Sequence, residues 1–183
     1  QSAAFNYSSS TFCQSGTNPT PTITGTAGGT FTSSPAGLVF VSSTTGEINL
    51  ASSSLNTYTI TYTTAGPCAN SATATVTITT APVATFSYTG TPYCQNAANP
   101  SPTFSGGGTA GIFSSTPGLV FVSTSTGQVD LAASTAGTYT ITNTIAASGG
   151  CAAATATSSI TINPVQSAAF NYSSSTFCQS GTN

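Results

Sequence analysis

Residues 56–80 read NTYTITYTTAGPCANSATATVTITT. Tyr58, Ile60 and Tyr62 alternate with Thr57, Thr59, Thr61 and Thr63; Ala72, Ala74, Val76 and Ile78 alternate with Thr73, Thr75, Thr77 and Thr79. Successive side chains of a strand point to opposite faces, so a period of two places the apolar set on one side and hydroxyls on the other. Half-buried antiparallel sheets read this way. Upstream, GLVFVSSTTGEINL, residues 37–50, sets two apolar runs around a Ser/Thr/Gly turn, with Gly46 free to take positive φ, which reads as a hairpin.

The pattern recurs. GLVFVS at 37–42 returns at 118–123, and TYTIT at 57–61 returns at 138–142. Phe5, Tyr7 and Cys13 align with Phe86, Tyr88 and Cys94. A longer period is superposed: QSAAFNYSSSTFCQSGTN, residues 1–18, recurs letter for letter as 166–183. The expected organisation is repeat A over 1–82, repeat B over 83–165, and the opening of the next repeat A over 166–183. An echo of this kind predicts a window of a tandem array of stacked units. Within repeat A, strands are expected near 4–8, 20–25, 29–33, 38–42, 47–51, 56–64 and 72–80. About seven short strands per unit, with turns about every 8–12 residues and no helical period, predict an all-β chain of tandem β-sandwiches.

Composition removes whole classes of function. The 183 residues include no Lys, Arg, His, Met or Trp, and two carboxylates, Glu47 and Asp130. Thr (38) and Ser (29) make up over a third of the chain. Disorder and mucin-like stalks lack the β-branched and aromatic alternation present here. Nucleic-acid binding needs cations against phosphate, and so does binding to an anionic membrane. No apolar run is long enough to insert in a bilayer. Ser is abundant, but no His or Lys stands ready to activate it. The two acids fall at non-equivalent positions: Glu47 aligns with Gln128, and Asp130 with Asn49. The Gly-rich stretches lack a following Lys and read as turns. The chain is therefore expected to be non-catalytic and to need no cofactor. At Glu47 and Asp130 calcium competes with a solvated acid beside a hairpin, and the solvated acid is expected, because a hard cation collects several oxygens. Near-zero charge favours association, so the partners expected are copies of itself in tandem and laterally.

The string G-L-x-F-x-S-x-x-T-G-x-I/V-N/D-L, then T-Y-T-I-T, then a Cys and T-A-T, resembles bacterial immunoglobulin-like repeats of long surface adhesins, including those exported by the type IX route of gliding bacteria. The resemblance covers essentially the whole chain. It implies an extracellular, cell-surface-attached fibre whose repeats serve as a shaft. Tyr58 and Tyr139 resemble the corner tyrosine of antibody-type domains, but no Cys follows two residues later and no core Trp is present.

Five cysteines fall two per unit: Cys13 and Cys68, then Cys94 and Cys151, with Cys178 opening the third. Single thiols without a C-x-x-C pair or any His argue for disulfides over metal, and disulfides for an oxidising compartment. The expected bonds are Cys13–Cys68 and Cys94–Cys151, with Cys68–Cys94 across the junction as the rival. Cys178 is expected to be unpaired in this window. The alternative function is binding of glycan or another surface by the repeat itself. Its candidate contacts are the outward Thr rows and the aromatics Tyr7, Phe12, Tyr88 and Tyr93, set against packing of Tyr7 and Tyr88 at the first strand.

Overall fold

A computed structural model describes residues 1–172, which contain strands and no helix. Cys178 and most of the returning segment lie outside the described residues. The first eight strands are β1 (Phe5–Asn6), β2 (Thr11–Cys13), β3 (Thr22–Ile23), β4 (Thr30–Ser34), β5 (Phe40–Ser42), β6 (Glu47–Ile48), β7 (Asn56–Thr63) and β8 (Ser71–Thr79). The second eight repeat them: β9 (Phe86–Ser87), β10 (Tyr93–Cys94), β11 (Thr103–Phe104), β12 (Ile112–Ser115), β13 (Val120–Ser123), β14 (Gln128–Asp130), β15 (Gly137–Ile145) and β16 (Ala154–Asn163).

Each half is the same assembly. A four-stranded sheet runs β2-β8-β7-β4 in the first and β10-β16-β15-β12 in the second. Two short ladders accompany it, β1-β3 and β5-β6, then β9-β11 and β13-β14. The alternation predicted for 56–80 is present: Tyr58, Ile60, Tyr62, Val76 and Ile78 are buried, with Thr57, Thr59 and Thr75 exposed. This inner face packs with Tyr7, Phe31, Ile48 and Leu50 into one core, and Phe86, Tyr88, Phe113, Val129, Leu131, Tyr139, Ile141, Ile160 and Ile162 form the second. Edge-to-face ring contacts knit each core, among them Phe5–Phe31 at 5.3 Å and Phe86–Phe113 at 5.2 Å. Tyr58 donates its hydroxyl to the Ser54 carbonyl and Tyr139 to the Thr135 carbonyl, both at 2.8 Å, so the corner tyrosines bond back to the chain just upstream.

One strand per half lies outside the set expected from the alternation. β2 and β10 pair in parallel with the ends of β8 and β16, placing Cys13 opposite Thr79 and Cys94 opposite Asn163. Segments of two or three residues within Ser- and Thr-rich surroundings carry no alternation to read; their pairing is set by a strand some 65 residues away in sequence. This parallel edge governs the functional geometry, because it carries one cysteine of each unit to the C-terminal end of its sandwich.

The two halves solve one buried polar problem with different chemistry. In the first, the Tyr62 hydroxyl donates to the Thr26 carbonyl (2.8 Å) and accepts from the Gly29 N–H (3.0 Å). The equivalent Asn143 donates through Nδ2 to the Ala84 and Thr109 carbonyls, each at 2.9 Å, and accepts from the Gly111 N–H at 2.8 Å. Either side chain ties the central strand to the loop entering the edge strand, where unpaired backbone groups would otherwise be stranded.

Candidate functional site

The bond that joins the halves is Cys13–Cys151, with Cα atoms 4.7 Å apart. Cys68 and Cys94 are exposed and unbonded. The expected pairs Cys13–Cys68 and Cys94–Cys151 are thus not formed, and neither is the rival Cys68–Cys94. The reason is geometric. Cys13 lies opposite Thr79, at the far end of β8, whereas Cys68 precedes Ser71 at the near end. A strand of that length spans roughly 26 Å at its usual rise, and a disulfide tolerates Cα separations of no more than about 7 Å. Cys94 and Cys151 are held apart by β16 in the same way. Each unit therefore carries its cysteines at opposite ends, and the loop following β15 brings Cys151 down onto the tail of the first sandwich.

Around that bond the two backbones lie close. The Thr79 hydroxyl donates to the Gly149 carbonyl and sits 3.5 Å from the Cys151 sulfur. Ser148 and Cys151 exchange N–H···O=C bonds of 3.2 and 2.9 Å, closing a tight turn over Gly149 and Gly150. Gly150 has φ +76, and a Cβ there would stand 2.6 Å from the Thr11 carbonyl oxygen and 3.1 Å from the Phe12 Cα. Only glycine accepts both the left-handed backbone and that approach. Gly150→Val is expected to push the loop off β2 while leaving both cores intact. Hydrogen exchange should then rise at residues 146–153 and 11–14 and stay unchanged in β7 and β15; unchanged exchange at the loop would contradict the close approach.

The aromatics set out as possible surface contacts are not an exposed platform. Tyr7 and Tyr88 are core residues, donating their hydroxyls to the Gly46 and Gly127 carbonyls. Phe12 and Tyr93 are half-buried and pack against the same cores. The reading that Tyr7 and Tyr88 pack at the first strand is the one the structure matches. Burial pushes both hydroxyls well above the ordinary tyrosine range, and neighbouring Tyr93, itself raised by burial, adds to the effect on Tyr88. Unfolded tyrosine ionises near pH 10. Above that pH the unfolded chain has lost protons that the folded chain keeps, so this stability is full below about pH 10 and is lost as pH climbs toward the folded values. With thiols alkylated, the thermal midpoint should be level up to about pH 9 and fall above about pH 10. The double variant Tyr7→Phe, Tyr88→Phe should start lower, by about 1 kcal/mol per lost hydrogen bond, and fall less steeply. Scanning calorimetry across that range checks both points.

The outer faces are hydroxyl ranks. Register aligns Thr32, Thr61 and Thr73 across three strands, and likewise Ser34, Thr59 and Thr75. In the second half Ser114, Thr142 and Thr157 form the matching rank. Thr57 and Thr77 share a hydrogen bond at 2.9 Å, and Thr138 and Thr161 one at 3.0 Å. On the β5-β6 hairpin Val41 is 54% exposed, and its equivalent Val122 on β13-β14 is 53% exposed. Asp130 accepts the Ala133 N–H through Oδ1 at 3.1 Å, as Asn49 accepts the Ser52 N–H at 3.1 Å. A carboxylate and an amide do one turn-closing job, which accounts for the position of that acid without a ligand. Among the described residues no group of His, Cys, Asp or Glu is placed to hold a metal ion.

No protein-family model and no curated protein matches the chain. Solved structures with some likeness include mouse cadherin-23 EC22-24, at 10% identity and TM-score 0.34, covering 88% of this chain and 67% of that one. Drosophila N-cadherin EC1-4 aligns at 10% identity and TM-score 0.35, over 87% of this chain and 49% of that one, so the chain spans about half the length of that structure. A SusE-like surface-located polysaccharide-binding protein from the heparin utilisation locus of Bacteroides thetaiotaomicron aligns at 16% identity and TM-score 0.31, over 81% of this chain and 31% of that one.

Proposed function

We propose that the chain is a structural, non-catalytic repeat segment of a long extracellular fibre attached to the cell surface, serving as its shaft. The observation that carries this reading is the stapled junction. Two consecutive sandwiches, each with its own core, are joined by a disulfide and by a hydrogen bond from Thr79 to the neighbouring loop. A binding module needs one good surface; a shaft needs a junction that resists bending and recurs. The 165-residue echo supports the second requirement. A disulfide also favours an oxidising, extracellular setting.

Lateral bundling belongs to the same reading. The outward ranks of Thr and Ser carry no charge to repel a neighbour, and the paired valines at 41 and 122 place apolar contacts at the same point of each unit. The alternative, direct binding of glycan or another surface, loses the four aromatics and rests on the hydroxyl ranks alone. Electron microscopy of native material at the cell surface tests the proposal. Continuous filaments with an axial repeat of two sandwiches are expected. Discrete particles of a few sandwiches would overturn it, as would soluble repeats that compete with cell attachment.

A further inference from the structure

We propose that Cys94 and Cys68 are the two halves of one more staple, formed between the tail of one repeat pair and the head of the next copy, so that every junction of the array is disulfide-bonded. The inference rests on the tandem-array reading. Cys94 occupies in the second sandwich the place that Cys13 occupies in the first: each ends the short parallel strand, opposite Asn163 and Thr79 respectively. The following glutamine repeats the match. The Gln14 N–H donates to the Thr79 carbonyl at 2.8 Å and the Gln95 N–H to the Asn163 carbonyl at 3.1 Å, while the side chains of Gln14 and Gln95 reach the Ser53 and Ser134 carbonyls at the same 2.8 Å.

Cys68 is the counterpart of Cys151. Both lie in the loop between the two long central strands, 64–70 in the first sandwich and 146–153 in the second. The 64–70 loop lies beside the start of the chain: Asn70 Nδ2 donates to the Gln1 carbonyl at 3.1 Å. Gln1 recurs as Gln166, directly after the second sandwich. The spacing across the two junctions agrees. Phe86, the first core residue of the second sandwich, follows Thr79 by seven residues, as Phe170 follows Asn163. A copy of the first sandwich entering at Gln166 therefore brings its own Cys68 loop to the end of β16, where Cys94 is exposed.

The 64–70 loop is shorter and carries Pro67 where the other has Gly150, so the backbones meet differently around the same pair of thiol positions. The position of Thr79, whose hydroxyl holds the Gly149 carbonyl, is filled by Asn163, which keeps a side-chain donor there. Two cysteines held at opposite ends of one sandwich have no use for one another. Placed in register along an array, each finds its partner in a neighbour, and no thiol is left over at an internal junction.

The bond forms when two thiols give up two protons and two electrons to a low-molecular-weight disulfide such as oxidised glutathione, which leaves as two thiols. The linker makes the encounter intramolecular. The test is a chain in which residues 1–165 precede the full 183-residue sequence, refolded in glutathione buffer. Free thiols are then alkylated and the bonds mapped after chymotryptic digestion, since trypsin has no site to cut. Cys94 of the first copy should be protected with Cys68 of the second, and Cys68 of the first copy left open. Cys68→Ser in the second copy should free that Cys94 completely; the same change in the first copy should have no effect. Both thiols are exposed, so these variants should fold. Because the second copy's Cys94 has no following copy, half of the Cys94 peptide is expected to be alkylated in the parent chain; complete alkylation there, or a Cys94 bond that survives the second-copy substitution, would overturn the staple. Filaments that persist with an open Cys94 would overturn it while leaving the fibre reading standing.

Discussion

Asn143→Ala is expected to destabilise the second sandwich by about 3 kcal/mol while leaving the first unchanged. The side chain makes three hydrogen bonds from a fully buried position, to the Ala84 and Thr109 carbonyls and from the Gly111 N–H. Alanine removes the partner of all three. The cost of leaving a buried donor or acceptor unmade is about 1–3 kcal/mol each, and those nearer the surface recover part of it from water. A unit of this size has about 5–10 kcal/mol in total, so the loss is a large fraction. The thermal midpoint of that sandwich should fall by about 15 °C. Hydrogen exchange resolved by peptide is the measurement, because the halves have separate cores. Protection should fall across residues 86–163 and hold across 5–79. A uniform loss in both halves would mean that the cores unfold as one.

That position also shows how far the sequence can be read. The long central strands are legible because Tyr58, Ile60 and Tyr62 declare a period of two, and Tyr139, Ile141 and Asn143 fall in the same register. Asn143, read alone, is a polar residue on an apolar face. Only the alignment with Tyr62 shows that both are there for a hydrogen bond to the neighbouring loop, and neither the loop nor its stranded carbonyls can be seen in the pattern. The hairpins around Gly46 and Gly127 are legible because their turns require positive φ, observed at 71° and 73°. β2 and β10 are not, since two or three residues opposite a distant strand leave no local trace. The cysteine pairing depends on β2 and β10, and that is where reading by unit goes astray. Counting two cysteines per unit suggests a bond inside each; the parallel edge strand sends one to the far end, and the count cannot reveal it. The aromatics fail for a related reason. Tyr7 lies just past β1 and Phe12 within β2; Phe5 and Tyr7 do alternate with Asn6 and Ser8, but which face of so short a segment turns to the core is decided by the pairings of β1 with β3 and of β2 with β8 rather than by neighbours in sequence.

Removing the junction disulfide should weaken both sandwiches with a single substitution. The Cys13–Cys151 bond joins residues 138 apart, but its effect is best judged one unit at a time. With the first sandwich folded and the second unfolded, the bond still ties Cys151 to the folded tail, closing a loop of roughly 70 residues that a free chain would leave open. Such a closure is worth about 4 kcal/mol in the chain-entropy treatment, an upper estimate where the folded junction has some freedom of its own. The converse holds when the first sandwich unfolds, since Cys13 is then anchored to the folded second one. Cys13→Ser is therefore expected to lower the thermal midpoints of both units, each by about 10–20 °C. Cys151→Ser should do the same, and the double variant no more than either alone, because the three changes delete one bond. Cys68→Ser and Cys94→Ser, made at exposed and unbonded thiols, should move neither midpoint in this chain. Calorimetry with exchange by peptide separates the cases. A bond inside one sandwich would lower one unit and spare the other, so a fall confined to either half would refute the junction pairing. A fall in both units from one thiol means that the neighbour stabilises the unit, and such coupling makes a row of small sandwiches stiffer and harder to unravel than its members.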